Sequence, residues 1–187
     1  MSPRPTARKD TLFQRFARNR RGVSAVEFAL IAPVMILSYF GMGELCEAMM
    51  AQRRVSHIAS ALGDLTAQAQ TIHDTDMTDI FSAAGIIATP FPTTTLQMRV
   101  TSITGDSSGT PKVDWSSVQG MTALTKGSTV TGLPTGLIAA SGDSIIMAES
   151  KYSYAAPSKY VLPNGLNFSE VFYLRPRKSA QVTRVSP

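Results

Sequence analysis

Residues 18–47 of the chain read RNRRGVSAVEFALIAPVMILSYFGMGELCE, and this stretch decides the fold. An arginine-rich segment ends at Gly22, and an apolar run follows from Val23 to Gly43, interrupted by a single carboxylate, Glu27. As a helix rising about 1.5 Å per residue, this run reaches across a hydrocarbon core of roughly 30 Å. We therefore predict a transmembrane helix over residues 23–46, which includes the turn that follows the apolar run.

The positive charge of the chain is concentrated at its N-terminus. The formal net charge is +5, yet residues 1–22 hold seven basic residues and one acid, so that the remainder is close to neutral. Basic segments beside a membrane span stay in the cytoplasm. The pattern predicts a basic cytoplasmic leader over residues 1–22 and a C-terminal domain on the other side of the membrane. A nucleic-acid partner would need a basic face on the folded part, and we expect none.

Glu27 lies about one helical turn inside the apolar run. A carboxylate at the centre of a membrane helix costs about 2.5–3.5 kcal/mol, and less near the interface, where the side chain can reach water. Two interpretations stay open. A glutamate near the interface is simply tolerated, or it finds a cation at similar depth in an assembled state, for which a free α-amino group is the obvious candidate.

The sequence agrees better with some other roles of an N-terminal apolar segment than with others. A plain signal anchor stays open. A cleaved secretory signal needs small residues in an A-x-A-like pattern after the apolar run, and Gly41-Met42-Gly43 is a poor match. A lipoprotein signal would need small residues before Cys46, where Glu44 and Leu45 stand. Cys46 is also the only cysteine, which excludes an intramolecular disulfide.

Residues 22–28, GVSAVEF, resemble a prepilin-peptidase site, in which the peptidase cuts after a glycine that follows a short basic leader. The wider segment, RRGVSAVEFALIAPVMI followed by GELCEAMMAQRRVSHIASALGDLTAQ, resembles the TadE-like pseudopilins of tight-adherence (Flp-type) pilus systems. Shorter fragments of the resemblance continue at residues 99–103, 151–154 and 172–177. One departure is Phe28, which occupies a place where many Flp-type proteins carry tyrosine.

The resemblance implies a minor pilin or pseudopilin in a bacterial inner membrane, cleaved after Gly22 so that Val23 becomes the new N-terminus. Glu27 would then be the fifth mature residue and would pair with the ammonium of a neighbouring subunit. The implied partners are a prepilin peptidase, other pilins or pseudopilins, inner-membrane pilus assembly proteins and membrane lipid. The alternative is an uncleaved, signal-anchored periplasmic binding or scaffold protein. Whether the chain enters the filament or only primes it stays open, as does the purpose of the pilus.

The helix should continue beyond the membrane. Pro33 is tolerated in a membrane helix, with a kink expected near Ala29. Residues 47–72 are predicted to extend the helix, because an apolar stripe with spacings of three and four runs along one face. The stripe covers the sheet of its own domain or packs between subunits, and the first interpretation is favoured. Its members are Val55, Ile58, Leu62, Leu65, Ala69 and Ile72.

Residues 73–187 are predicted to form a periplasmic α+β domain, in which a small antiparallel sheet of about four strands packs on the long helix, as in pilins. A second helix should begin at Asp74 or Asp76 as its N-cap and end before Thr89-Pro90-Phe91-Pro92. The strands are expected at residues 95–104, 112–116, 143–155 and 166–174, with a turn at 105–109 and a loop-rich insertion at 120–142.

Catalytic chemistry has little support in the sequence, and we predict no enzyme activity, cofactor or metal. The turn Gly105–Gly109 contains serines, but a catalytic triad needs a placed histidine. Only His57 and His73 are available, and both are expected on the long helix or at its end. Asp-Ser-Gly clusters are ordinary turns, and His73 with the acids that follow lacks a calcium-loop spacing. A membrane-tethered hydrolase is therefore the least favoured alternative.

Overall fold

The structure is a computed structural model that describes residues 22–185. The predicted leader, apart from Gly22, lies outside the described residues. The chain forms two helices and six strands in the order α1, β1, α2, β2, β3, β4, β5, β6 over these residues. Contacts divide it into two units, Met1–Gly43 and Glu44–Pro187.

Helix α1 runs from Val23 to Ala67 as a single helix of 45 residues and contains Pro33. Its first part, up to Gly43, presents an apolar surface with no buried residue, whereas a row of buried residues begins at Glu44 and follows one face to Ala67. The same helix is thus exposed in its first part and partly buried in its second part. This confirms the predicted long N-terminal helix.

The end of α1 differs from the prediction, because the helix stops at Ala67 rather than near Ile72. Thr71–Ile72 form a short strand, β1, which pairs in parallel with β6, Thr183–Arg184. The backbone carbonyl of Ala67 accepts a hydrogen bond from the N–H of Arg177, at 2.8 Å, instead of from the next helical turn. Partners from the C-terminal segment therefore end the helix, and Ile72 is buried as part of a strand.

The stripe on α1 covers the sheet of its own domain, as favoured. Val55, Ile58 and Leu62 are buried in the main hydrophobic core, but Leu65 is 43 % exposed, so that its placement in the stripe was wrong. A straight helix drifts by about 20° per heptad against a 3.5-residue repeat. The buried row accordingly passes to Gly63 and Thr66 in the last turns.

Helix α2 spans Asp74–Ile87 and buries Met77, Phe81 and Ala84 against the core. Its N-cap is His73 rather than Asp74 or Asp76. The carboxylate of Asp76 accepts a hydrogen bond from the backbone N–H of His73 at 2.8 Å, which satisfies a donor that the helix leaves unpaired.

The sheet contains β2 (Leu96–Gly105), β3 (Pro111–Gln119), β4 (Ser144–Tyr154) and β5 (Leu166–Leu174). The strand order is β3-β2-β4-β5 and every pairing is antiparallel, which confirms the predicted four-stranded α+β architecture. One face packs on α1, where the hydroxyl of Ser150 donates a hydrogen bond to the Val55 carbonyl at 2.8 Å. Gly63 allows this close approach, because a Cβ there would overlap Leu174 and lie 3.3 Å from Ala148 Cβ.

The other face of the sheet is partly covered by the insertion that sequence reasoning treated as a loop. Ile103, Ile145 and Met147 form a second core with apolar residues of that insertion, namely Leu124, Val130, Leu133, Leu137 and Ile138. Arg99 fastens the insertion to the sheet. Its guanidinium bonds both carboxylate oxygens of Glu149, at 2.5 and 2.9 Å, and donates to the Thr122 carbonyl at 2.9 Å.

Candidate functional site

The predicted processing site lies at the first described residues. Gly22 is exposed and directly precedes α1, and Val23, the first helical residue, is 53 % exposed. A Cβ placed on Gly22 would meet no atom of the described residues within 4 Å. Packing among residues 22–185 therefore does not require glycine at this position.

The predicted assembly residues lie further along the same exposed helix. Glu27 is exposed one turn after Val23, and Phe28 is 73 % exposed. No group among residues 22–185 pairs with the Glu27 carboxylate. Pro33 lies inside α1, which continues on both sides of it. The structure brings these residues onto one element without joining them into a pocket.

The surface of the apolar run is unusual for a protein in water. The large side chains from Val23 to Met42 are 52–78 % exposed, with Leu30 at 77 % and Tyr39 at 78 %. An apolar surface of this extent marks a contact with membrane or protein. α1 is the one helix of the described part of the chain with the length and hydropathy to cross a membrane, at a mean hydropathy of 1.9 over the best window.

Glu44, to which the sequence analysis gave no structural role, forms a carboxylate site immediately after this run. Its side chain accepts hydrogen bonds from the N–H groups of Tyr160, Val161 and Leu162 at 3.2, 3.0 and 3.1 Å, and from the hydroxyl of Ser158. Glu44 is 5 % exposed. The Ser158 hydroxyl contributes most to lowering the pKa of Glu44 below 4.5, aided by the backbone donors and opposed by burial.

A signal for this site existed in the sequence. Glu44 is in phase with the buried row of α1, since Ala48, Ala51 and Val55 follow it on the same face. Extending the apolar stripe backward from Val55 would therefore have placed a carboxylate on the domain side of the helix, where it needs partners. The identity of those partners lies more than a hundred residues away in the sequence.

An aromatic cluster lies beside Glu47, one turn further along α1. The hydroxyl of Tyr154 donates to the Glu47 carboxylate at 3.2 Å, and the Tyr154 ring contacts Phe91 and Phe168 with centroid separations of 6.1 and 6.5 Å. Burial, with the adjacent Glu47 carboxylate, raises the pKa of Tyr154 to about 12. This cluster and the Glu44 site fix the same end of the domain to the helix.

The serines and histidines considered for a hydrolase site lie on different elements of the fold. In the turn after β2, the Asp106 carboxylate accepts from the N–H and hydroxyl of Ser108, and these bonds lower the pKa of Asp106. The hydrogen-bond partners of the Ser108 hydroxyl are Asp106 and Thr110. His57 instead lines a cavity of about 360 Å³ with Arg53 and Arg54, and His73 caps α2. No group of three or more potential metal ligands occurs within residues 22–185.

Comparison with known proteins gives one match. A family model described as TadE-like protein matches residues 22–62. No curated protein and no solved structure matches the chain. The match contains Gly22, Val23, Glu27, Phe28 and Pro33, and it ends within the buried row of α1, so that the fragments at residues 99–103, 151–154 and 172–177 lie outside it. The segment that carries every predicted site residue is therefore TadE-like in sequence, which confirms the resemblance for this part of the chain.

Proposed function

We propose that the chain is a minor pilin or pseudopilin of a tight-adherence (type IV-like) pilus system. The observation that carries the proposal is the division of α1. A TadE-like helix exposes an apolar surface up to Gly43, broken only by Glu27, and then becomes the buried support of an α+β domain from Glu44 onward. This arrangement supports a protein held by its helix in a membrane while its domain remains in water.

The membrane crossing is placed within Val23–Gly43, in the bacterial inner membrane. The concentration of basic residues in 1–22 supports a cytoplasmic N-terminus, and the domain that begins at Glu44 is then periplasmic. The role is structural and non-catalytic. The partners are a prepilin peptidase, other pilins or pseudopilins, inner-membrane assembly proteins and the lipid around α1.

Processing after Gly22 would change the electrostatics of the helix start. Removal of the leader takes away its net positive charge and leaves an ammonium group on Val23, one turn from Glu27. A carboxylate in or near hydrocarbon is stabilised by a cation at the same depth. Pairing between the Glu27 of one subunit and the Val23 ammonium of the next would fix the register of neighbouring helices, with Phe28 at the contact.

Processing is tested by expressing the full chain together with a prepilin peptidase and measuring the mass of the product. We expect a mature chain that begins at Val23, and a Gly22→Ala variant that keeps its leader. Gly43→Ala is the matched control, because a Cβ at Gly43 likewise meets no atom within 4 Å. A wild-type chain that retains its leader beside a processed positive-control pilin would contradict the proposal and favour the uncleaved, signal-anchored scaffold protein.

Assembly is tested separately with Glu27→Ala, in the presence of the other pilus components. We expect cleavage close to that of the wild type and a severalfold loss of the protein from sheared pilus or membrane-assembly fractions, measured by immunoblot. Ser24→Ala, an exposed substitution in the same turn, should behave like the wild type. Normal assembly of Glu27→Ala would show that the proposed ion pair is wrong while leaving the processing result intact.

A further inference from the structure

The loop between β4 and β5, residues 155–165, presents an exposed group beside the start of the domain. We propose that this loop is a second membrane contact, in which Tyr160 and Val161 enter the interfacial layer of the bilayer that α1 crosses and Lys159 meets lipid phosphates. The inference rests on the proposed membrane anchoring of α1 and adds a lipid-binding surface on the domain itself.

The position of the loop along α1 supports this contact. The N–H groups of Tyr160, Val161 and Leu162 bond the carboxylate of Glu44, within 3.2 Å. Glu44 directly follows Gly43, where the apolar run ends. The polar headgroup layer on each side of a bilayer is roughly 5–8 Å thick. A loop bonded to the residue after the crossing therefore falls within that layer.

The loop is also held in one conformation. Leu162 packs against the main core, and Glu44 binds the three consecutive N–H groups, while Lys159 adopts the left-handed conformation at φ 56°. With the backbone fixed in this way, Tyr160 is 74 % exposed and Val161 is 53 % exposed. Because the backbone is already fixed, only the exposed side chains lose conformational freedom when they meet a surface.

The chemistry of the exposed side chains matches a lipid interface. Tyrosine is enriched at the headgroup level, because its ring is apolar and its hydroxyl is polar. A lysine close to the membrane surface is attracted to anionic headgroups. Val161 adds an apolar contact, and the loop from 155 to 165 itself contains no acidic residue.

The surroundings of Glu44 agree with a location at the edge of hydrocarbon. Its carboxylate is satisfied by protein donors and is 5 % exposed, so that no water has to solvate it. On other faces of α1, Leu45 and Met49 are 54 % and 50 % exposed. Apolar surface thus continues around the helix beyond Glu44, and the interfacial layer can reach the level of the loop.

The test measures immersion depth in the full-length protein. A nitroxide is attached to the new cysteine of a Tyr160→Cys variant in a Cys46→Ser background, and the protein is reconstituted in vesicles of phosphatidylethanolamine and phosphatidylglycerol. Collision rates with oxygen and with a water-soluble nickel chelate are then compared. We expect a label at 160 to favour oxygen severalfold relative to a label at Ser107, which follows the far end of β2, roughly 30 Å away.

A label at Leu37 separates this inference from the proposed anchoring, since that residue lies inside the apolar run and is 58 % exposed. Lipid contact at Leu37 with aqueous values at 160 would overturn the loop contact and leave the anchor standing. Aqueous values at both positions would overturn both. In a Glu44→Gln background, we expect the label at 160 to gain mobility and lose severalfold in its oxygen preference. An unchanged depth there would overturn the role given to the Glu44 bonds.

Discussion

At the scale of single residues, Glu27 and Glu44 are two glutamates on the same helix with different surroundings. Glu27 has no partner among residues 22–185, and its proposed partner belongs to another subunit. Glu44 is bound inside its own domain by backbone donors and a hydroxyl. Under the proposed function, the Glu27 carboxylate binds a neighbouring subunit, whereas the Glu44 carboxylate binds donors of its own domain. The depth and neighbours of each carboxylate decide which use it has.

Glu44→Gln should destabilise the domain at neutral pH, because an NH2 group replaces one carboxylate oxygen and cannot accept the hydrogen bonds that this oxygen receives from residues 158–162. The folded-state pKa of Glu44 lies below the ordinary value of 4.5. Its stabilising contribution is therefore complete above pH 4.5 and is lost as the pH falls through the folded pKa. We expect the melting temperatures of the wild type and Glu44→Gln to converge in acid.

The control for this prediction is Asp79→Asn, an exposed acid on α2 without a hydrogen bond among the described residues. Its melting temperature should follow that of the wild type at every pH. Thermal unfolding is followed by circular dichroism at several pH values from about 3 to about 8, a range that includes the titration of carboxylates at its acidic end. A constant difference between Glu44→Gln and the wild type across this range would contradict the assignment.

Sequence reasoning identified Glu27 but missed the role of Glu44, for a physical reason. Glu27 stands out within its own window, because a carboxylate interrupts an apolar run. The partners of Glu44 come from residues 158–162, which approach α1 only after the sheet has formed. Phase along the helix could have placed Glu44 on the buried face, but its hydrogen bonds depend on tertiary structure.

At the scale of elements, α1 has two parts that differ in where their apolar residues lie. They surround the helix up to Gly43 and follow one buried face from Glu44 to Ala67. The strands could be predicted from the alternation of apolar and polar residues, since β2 and β4 place buried residues against α1 at every second position. The end of α1 could not be predicted in this way, because β6 and Arg177 determine it from the C-terminal segment. The cover over the second face also escaped prediction, as isolated apolar residues in a loop have no period.

Leu62 and Leu65 provide a matched test of the buried row, because both changes to alanine have the same effect on helix propensity. Leu62 is 0 % exposed within the main core and Leu65 is 43 % exposed. We expect Leu62→Ala to lower the free energy of unfolding by about 3 kcal/mol and Leu65→Ala by less than about 1 kcal/mol. Denaturant titration in detergent measures both. Equal losses would mean that Leu65 faces the core instead of solvent.

At the scale of the whole molecule, the second half of α1 is part of the domain. The main core joins Ala48, Ala51, Val55, Ile58 and Leu62 to the inner face of the sheet. A domain that began at residue 73 would lack the helix that covers this face of the sheet. The compact unit begins at Glu44.

A chain that begins at Met42 should therefore fold in water without the apolar run and unfold in one cooperative transition. A chain that begins at His73 leaves the apolar inner face of the sheet uncovered, and we expect it to aggregate or bind a hydrophobic dye. Gel filtration and thermal unfolding distinguish the two. Failure of the longer chain to fold, or a stable monomer from the shorter chain, would each contradict the placement of α1 in the core.

The C-terminal segment completes the core of the domain. Val182 is fully buried, its carbonyl accepts the indole N–H of Trp115 at 2.7 Å, and β6 pairs with β1 at the end of α1. During synthesis the helix emerges early and β6 emerges last among the elements of the domain. Until residues 182–184 arrive, the edge of β1 and the indole of Trp115 have no partner. The core around Trp115 and the end of α1 is therefore complete only when the chain is in place through Arg184.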